Sequence, residues 1–196
     1  MPDFTALQTT LEARGFATAY FETAAEAAAY LDGKIDGKTV GIGGSMTIQA
    51  MGLKEQLAAH NTLYWHWDGD TLSSAAQAQV YLSSVNGLAE TGEIINIDGT
   101  GNRVASTIFG HEALYLVVGV NKIAPTYDEA LWRARNIAAP KNAQRLGRKT
   151  PCAVQGDRCY NCSSPERICR ALTVLWNKPN GIPYVEVVLV NEALGL

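Results

Sequence analysis

All four cysteines of this 196-residue chain lie in one stretch, CAVQGDRCYNCSSPERIC, residues 152–169. The spacing is C-x6-C-x2-C-x6-C, formed by Cys152, Cys159, Cys162 and Cys169. Cys159 and Cys162 make the C-x2-C hook that chelates a metal from a single turn, and Gly156 and Pro165 permit bends that bring Cys152 and Cys169 inward. Four thiolates complete a tetrahedral set for zinc, or serve the four irons of a [4Fe–4S] cluster. Disulfides would need an oxidising compartment. Inert buried thiols do not suit so polar a setting as RCYNCSSPERIC. Structural zinc more often uses two C-x2-C hooks, and only one is present. The segment also lacks the C-x2-C-x2-C run of bacterial ferredoxins, so spacing alone leaves both open; a [4Fe–4S] cluster is the expected centre, with Zn2+ as the alternative. Upstream, WRARNIAAPKNAQRLGRK (132–149) carries Arg133, Arg135, Lys141, Arg145, Arg148 and Lys149 and no acidic residue. Such cations would stabilise an anionic four-thiolate centre of either kind. They would equally suit an anionic substrate, an acidic partner, or one solvated helix face.

Three polar loops follow apolar strands. GIGGSMT (41–47) runs from a strand through Gly41, Gly43 and Gly44 to Ser45 and Thr47 at a helix start. Glycines allow close approach of a phosphate, and amides at a helix start attract anions. The same residues also suit a plain strand–helix turn capped by Ser45 or Thr47. DGTGNR (98–103) offers Asp98, Gly99, Gly101, Asn102 and Arg103. Arg103 could bind a carboxylate or phosphate through two donors, whereas Asp98 and Asn102 could simply stabilise their own turn. GVNK (119–122) adds Asn121 and Lys122. If the three strands are parallel neighbours, the loops meet outside the carboxyl edge of a sheet, where open α/β sheets bind ligands. Ser45, Asp98, Arg103 and Lys122 are the catalytic candidates. His60, His66 and His111 form no recognisable site, and Glu90 reads as a turn glutamate.

Helical periodicity marks 3–14, 22–33, 46–59 and 127–139, the last expected to stop before Pro140. Residues 73–82 should begin as a helix. A brief FATAYF segment spans 16–21, and apolar, β-prone runs mark strands at 38–44, 62–67, 92–98, 113–120 and 184–190. Their alternation argues one α/β domain over 1–196, with an open, largely parallel or mixed sheet and helices on both faces. Residues 149–170 are a cysteine-rich excursion before the last strand returns to the sheet.

A net charge of -3 gives no general pull toward nucleic acid or anionic membranes. The apolar runs LYLVVGV and VEVVLV are too short to span a bilayer. The start, MPDFTALQTTLEARG, has an early Asp and no apolar stretch of signal-peptide length, so a cytoplasmic protein is expected.

Taken together, VGIGGSMT, SSVNGLAETGEIINIDGTGNRVA, VVGVNKI, RARNIAAPKNAQRL and the cysteine pattern resemble the lactate-utilisation, or LUD-domain, family. The resemblance spans residues 3–196 and is closest to single-domain members with a C-terminal cysteine cluster. It implies a fold similar to ribose-5-phosphate isomerase, glucosamine-6-phosphate deaminase and CoA transferases, with GIGGS at a phosphate-binding turn. It also implies a place near L-lactate oxidation, alongside iron–sulfur proteins, and a homodimer as the expected assembly. The resulting expectation is a redox accessory protein that binds a small anionic metabolite, carries a four-cysteine metal centre and meets a redox partner. Two alternatives stand beside it. One is an isomerase- or transferase-type enzyme acting on a phosphorylated sugar or CoA thioester, with structural zinc. The other is a non-catalytic subunit that docks an acidic partner through its cations.

Overall fold

A computed structural model describes residues 2–69 and 71–196. Six parallel strands form the main sheet: β1 (Ala17–Phe21), β2 (Thr39–Ile42), β3 (Thr62–Trp65), β4 (Val80–Ser84), β7 (Ala113–Gly119) and β10 (Tyr184–Val190). Their order is β1-β10-β7-β4-β2-β3. The central strands are buried on both faces, which is why ALYLVVG and YVEVVLV read as near-continuous apolar runs. Alternate residues divide between two cores. Tyr115, Val117, Val188 and Val190 pack under α2 (Ala24–Lys34), α3 (Met46–Ala50) and α4 (Leu53–Leu57). Leu114, Leu116, Val187 and Leu189 face the other way, against Leu7 and Leu11 of α1 (Phe4–Ala13). One charge is buried among these strands. Glu186, 2 % exposed, accepts from Tyr30 Oη at 2.7 Å and pairs with Lys34 at 3.1 Å.

The second face also carries a separate sheet of four strands, ordered β8-β5-β6-β9: β5 (Gly87–Ala89), β6 (Ile94–Asp98), β8 (Ile123–Ala124) and β9 (Ala171–Leu175). It is mixed, with β6 antiparallel to both of its neighbours. β5 and β8 are too short to show a period in the sequence. The expected strand at 92–98 is thus real but lies in this second sheet, not beside β2 and β7.

Helix starts follow their capping chemistry. Asp3 accepts from Ala6 N, and Thr23 with Glu26, and Thr126 with Glu129, close capping boxes. The helix expected over 46–59 is broken into α3 and α4 at Gly52, whose φ of 62° is left-handed. Residues 73–82 divide as well, into α5 (Leu72–Ala76) and β4. The helix begun at Tyr127 does not stop before Pro140. It passes from α7 (Tyr127–Arg133) through one π-helical turn, Ala134–Ala138, into α8 (Ala139–Arg145). Proline removes a donor and clashes with the carbonyl four residues back, and the wider π turn accommodates both defects. α6 (Asn102–Ser106) and α9 (Pro151–Gln155) are single short turns. Among the described residues no helix is long and apolar enough to cross a membrane.

Candidate functional site

β7 ends at Gly119 and passes into a 3-10 turn, Val120–Lys122, over the carboxyl edge of the main sheet. Lys122 is 4 % exposed. Its Nζ donates to Thr47 Oγ1 at 2.8 Å and to Ser84 Oγ at 2.9 Å. Those hydroxyls donate onward, Thr47 to the Leu194 carbonyl at 3.2 Å and Ser84 to the Val117 carbonyl at 2.6 Å. Both oxygens therefore present lone pairs to the amine. Among the described residues Lys122 makes no ion pair. Burial first, then the positive charges of Arg133 and Arg103, lowers its pKa from 10.5 to about 7.

The loop 98–103 is held from within. Asp98 accepts from the backbone N–H of Gly99 at 2.7 Å, Arg103 at 2.9 Å and Val104 at 3.1 Å. Its carboxylate thus caps α6, and the start of that helix already carries an anion of its own. Gly101, at φ 93°, makes the turn possible. The Arg103 guanidinium donates to Asn96 Oδ1, to Asn86 Oδ1 at 3.0 Å and to the Ile97 carbonyl at 2.6 Å. Burial lowers its pKa, and the nearby Asp98 opposes that shift. Arg103 is a positioned cation and Asp98 a structural cap.

Between these groups lies a cleft of about 280 Å³. Gly44 and Ser45 of the first loop, Asp98, Gly99, Asn102 and Arg103 of the second, and Lys122 of the third border it. The expected meeting of three loops is present, although one arrives from the second sheet. Gly41, Gly43, Thr47, Gly101 and Asn121 stand behind the cleft's lining rather than on it. A Cβ on Gly41 would lie 2.4 Å from the Ala75 carbonyl oxygen, so that glycine serves strand–helix packing. Ser45 Oγ accepts from Ile48 N at 3.3 Å as the cap of α3. Asn121 Oδ1 accepts from Leu194 N at 3.0 Å and ties down the C-terminal segment.

Several lining residues were not singled out from the sequence. Ser83 and Ser84 end β4 and Asn86 follows it, where SSVN closes an apolar run much as the three recognised loops do. His66 also borders the cleft, with Nδ1 3.3 Å from Asn102 Nδ2. Trp67 forms the wall beside it, and the Arg145 guanidinium lies 5.3 Å over its ring. The cationic stretch is divided among three roles. Arg145 and Arg148 border the cleft. Arg133 is buried, donating to the Asn121 and Asn86 carbonyls. Arg135 turns toward the cysteine loop. Glu90 does not border the cleft, and His60 and His111 are held by Asp32 with Asp36 and by the Ala78 carbonyl respectively.

The four cysteines are free and half-buried, and all four border one small pocket together with Arg135, Thr150 and Arg167. Among the described residues no three His, Cys, Asp or Glu side chains stand close enough to share one ion. The hook is shaped by Asn161, at φ 46°, whose N–H donates to Cys159 Sγ at 3.3 Å. Arg135 Nη2 lies 4.0 Å from the same sulfur. Asn136, on the π turn, accepts from Cys159 N at 3.1 Å, and Arg167 donates to the carbonyls of Cys162 and Cys169, both at 2.8 Å. Ala139 and Ile168 border this pocket and the cleft alike. The two loops also touch directly, for Arg170 N donates to the Asp98 carbonyl at 2.9 Å.

A family model described as the LUD domain matches residues 5–190. No curated protein matches the sequence. Among solved structures, a DUF162 family protein from Deinococcus radiodurans is similar at a TM-score of 0.58 and 15 % identity, over 95 % of each chain, which is likeness of fold alone. eIF2B beta from Chaetomium thermophilum aligns at a TM-score of 0.40 and 11 % identity, over 54 % of this chain and 44 % of that one.

Proposed function

This chain belongs to the LUD domain family, and on that premise we propose that it is a redox accessory protein of 2-hydroxy-acid or related metabolism. It binds a small anionic metabolite in the cleft and carries an iron–sulfur cluster on Cys152, Cys159, Cys162 and Cys169. The observation that carries the reading is the shared wall, Ala139 and Ile168, between the cleft and the cysteine pocket. Arg103, Arg145 and Arg148 supply the positive charge for the anion.

Cys152, Cys159, Cys162 and Cys169 border one pocket, and their four thiolates would hold the cluster, one to each iron. Zinc, the alternative, would need the same sulfurs within roughly 4 Å of one another. Arg135 and Arg167 flank the pocket and offset the negative charge of four thiolates. Asn161 N–H donates to Cys159 Sγ at 3.3 Å, the kind of hydrogen bond to sulfur that tunes a cluster's potential. When bound, such a cluster stores single electrons and passes them to a partner protein.

Anaerobic purification or reconstitution, followed by the visible spectrum and by iron and zinc analysis, tests the centre. The expected sample is brown, holds about four irons per chain and bleaches with dithionite. A colourless protein with one zinc would overturn the redox reading. Calorimetry with pyruvate and with inorganic phosphate tests the cleft, and binding is expected to fall in Arg145→Gln/Arg148→Gln.

A second reading is an isomerase- or transferase-type enzyme acting on a phosphorylated sugar or CoA thioester. Buried Lys122, joined to two hydroxyls rather than to a carboxylate, favours it. Turnover of such a substrate by the purified chain alone would decide for it.

A further inference from the structure

The four-cysteine reading leaves Lys122 without a task. Buried lysines ordinarily find a carboxylate, because an unpaired buried charge is expensive. Here the nearest partners are two hydroxyl oxygens, and the neighbouring charges, Arg103 and Arg133, are positive. Thr47 in the first turn of α3 and Ser84 at the end of β4 hold Nζ between them, which fixes its position at the cleft wall. Two of the amine's bonding positions are thereby taken, and Lys122 borders the cleft.

We infer that Lys122 is a nucleophile that forms an imine with a small aldehyde or ketone bearing an anionic group. The inference rests on the cleft binding anions, as proposed above, and not on the cysteine centre. The neutral Nζ attacks the carbonyl carbon, a C–N bond forms, and the carbonyl π pair moves to oxygen. Proton transfers from nitrogen to oxygen, through solvent, give a carbinolamine. Loss of that oxygen as water leaves the imine, so amine and carbonyl compound become imine and water, with no electrons gained or lost. Guanidinium groups of Arg145 and Arg148 hold the ligand's carboxylate or phosphate, and Ser84 Oγ orients Nζ. Protonated on nitrogen, the imine draws electrons from the adjacent carbon and activates its bonds. The amine that such chemistry needs is present at neutral pH. With a pKa of about 7, roughly half of Lys122 is uncharged at pH 7, against less than about 0.1 % of an ordinary lysine.

The test uses the full chain with pyruvate as the carboxylate probe and glyceraldehyde 3-phosphate as the phosphate probe. Cyanoborohydride traps any imine as a stable secondary amine, and peptide mass mapping locates it. Binding of both probes is measured in parallel by calorimetry. Trapping at Lys122 should run about a hundredfold ahead of that at any surface lysine, disappear in Lys122→Arg and slow in Ser84→Ala. The wild-type map stands by itself should Lys122→Arg fail to fold. A probe that binds while its label falls only on surface lysines overturns this inference and leaves the cleft reading intact. Failure of both probes, and of phosphate, to bind overturns the two together. The arm that labels Lys122 identifies the anionic group.

Discussion

Replacing Lys122 by Met should change stability with a sign that depends on pH. Methionine keeps the length of the side chain and removes the charge. In the folded protein burial lowers Lys122 from 10.5 to about 7. Between those values the unfolded chain holds a proton that the folded chain has released, so wild-type stability rises with pH by about 1.4 kcal/mol per unit. The full displacement amounts to on the order of 5 kcal/mol of destabilisation below pH 7, vanishing above the unfolded value. Against this stands the loss of the Nζ bonds to Thr47 and Ser84, about 1 kcal/mol each. Lys122→Met should therefore be about 2 kcal/mol more stable than wild type at pH 7 and about 1 kcal/mol less stable at pH 10, with the curves crossing near pH 9. Urea unfolding of both proteins at half-unit steps gives the difference directly, and other titrating groups cancel in it. A difference that stays flat from pH 6.5 to 10 would refute the argument, since Lys122 would then titrate alike folded and unfolded.

Three further outcomes follow from particular contacts. Gly41→Ala would put a Cβ 2.4 Å from the Ala75 carbonyl oxygen. The strain should cost about 1–3 kcal/mol and lower the thermal midpoint by several degrees, as read by calorimetry. Gly99→Ala would press a Cβ to 2.7 Å from the Ile168 carbonyl oxygen, where the cleft loop meets the cysteine loop. Metal content per chain and pyruvate affinity should fall together, and a loss confined to one of them would show that the sites are uncoupled. His60, held at 2.9 Å by both Asp32 and Asp36, has its pKa raised by those bonds. Its contribution is complete below the ordinary histidine value and is lost as pH rises through the raised one. Asp32→Asn should bring the NMR titration midpoint of His60 down, and an unchanged midpoint would exclude the contact.

Much of the scaffold is legible locally. Continuous apolar runs such as LYLVVG identify strands buried on both faces, and Thr23 with Glu26 declares a helix start through bonds that span three residues. The second sheet is not legible. β8 is two residues long and exists only because Leu88 and Ala89 pair with it. Pro140 stops a helix by every local rule, yet the chain continues through a π turn that sets Arg135 and Asn136 against the cysteine loop. The SSVN segment resembles any polar turn until Lys122 is placed beside Ser84.

By itself the sequence determined the α/β plan, the three polar loops and the spacing of Cys152, Cys159, Cys162 and Cys169, because periodicity, capping and spacing are properties of near neighbours along the chain. Only the tertiary structure decided that Asp98 caps its own helix, that Lys122 lies buried among hydroxyls and guanidiniums, and that Ala139 and Ile168 serve two pockets at once. A side chain's charge state and reach depend on which groups surround it in space. Those groups come here from strands and helices tens of residues apart.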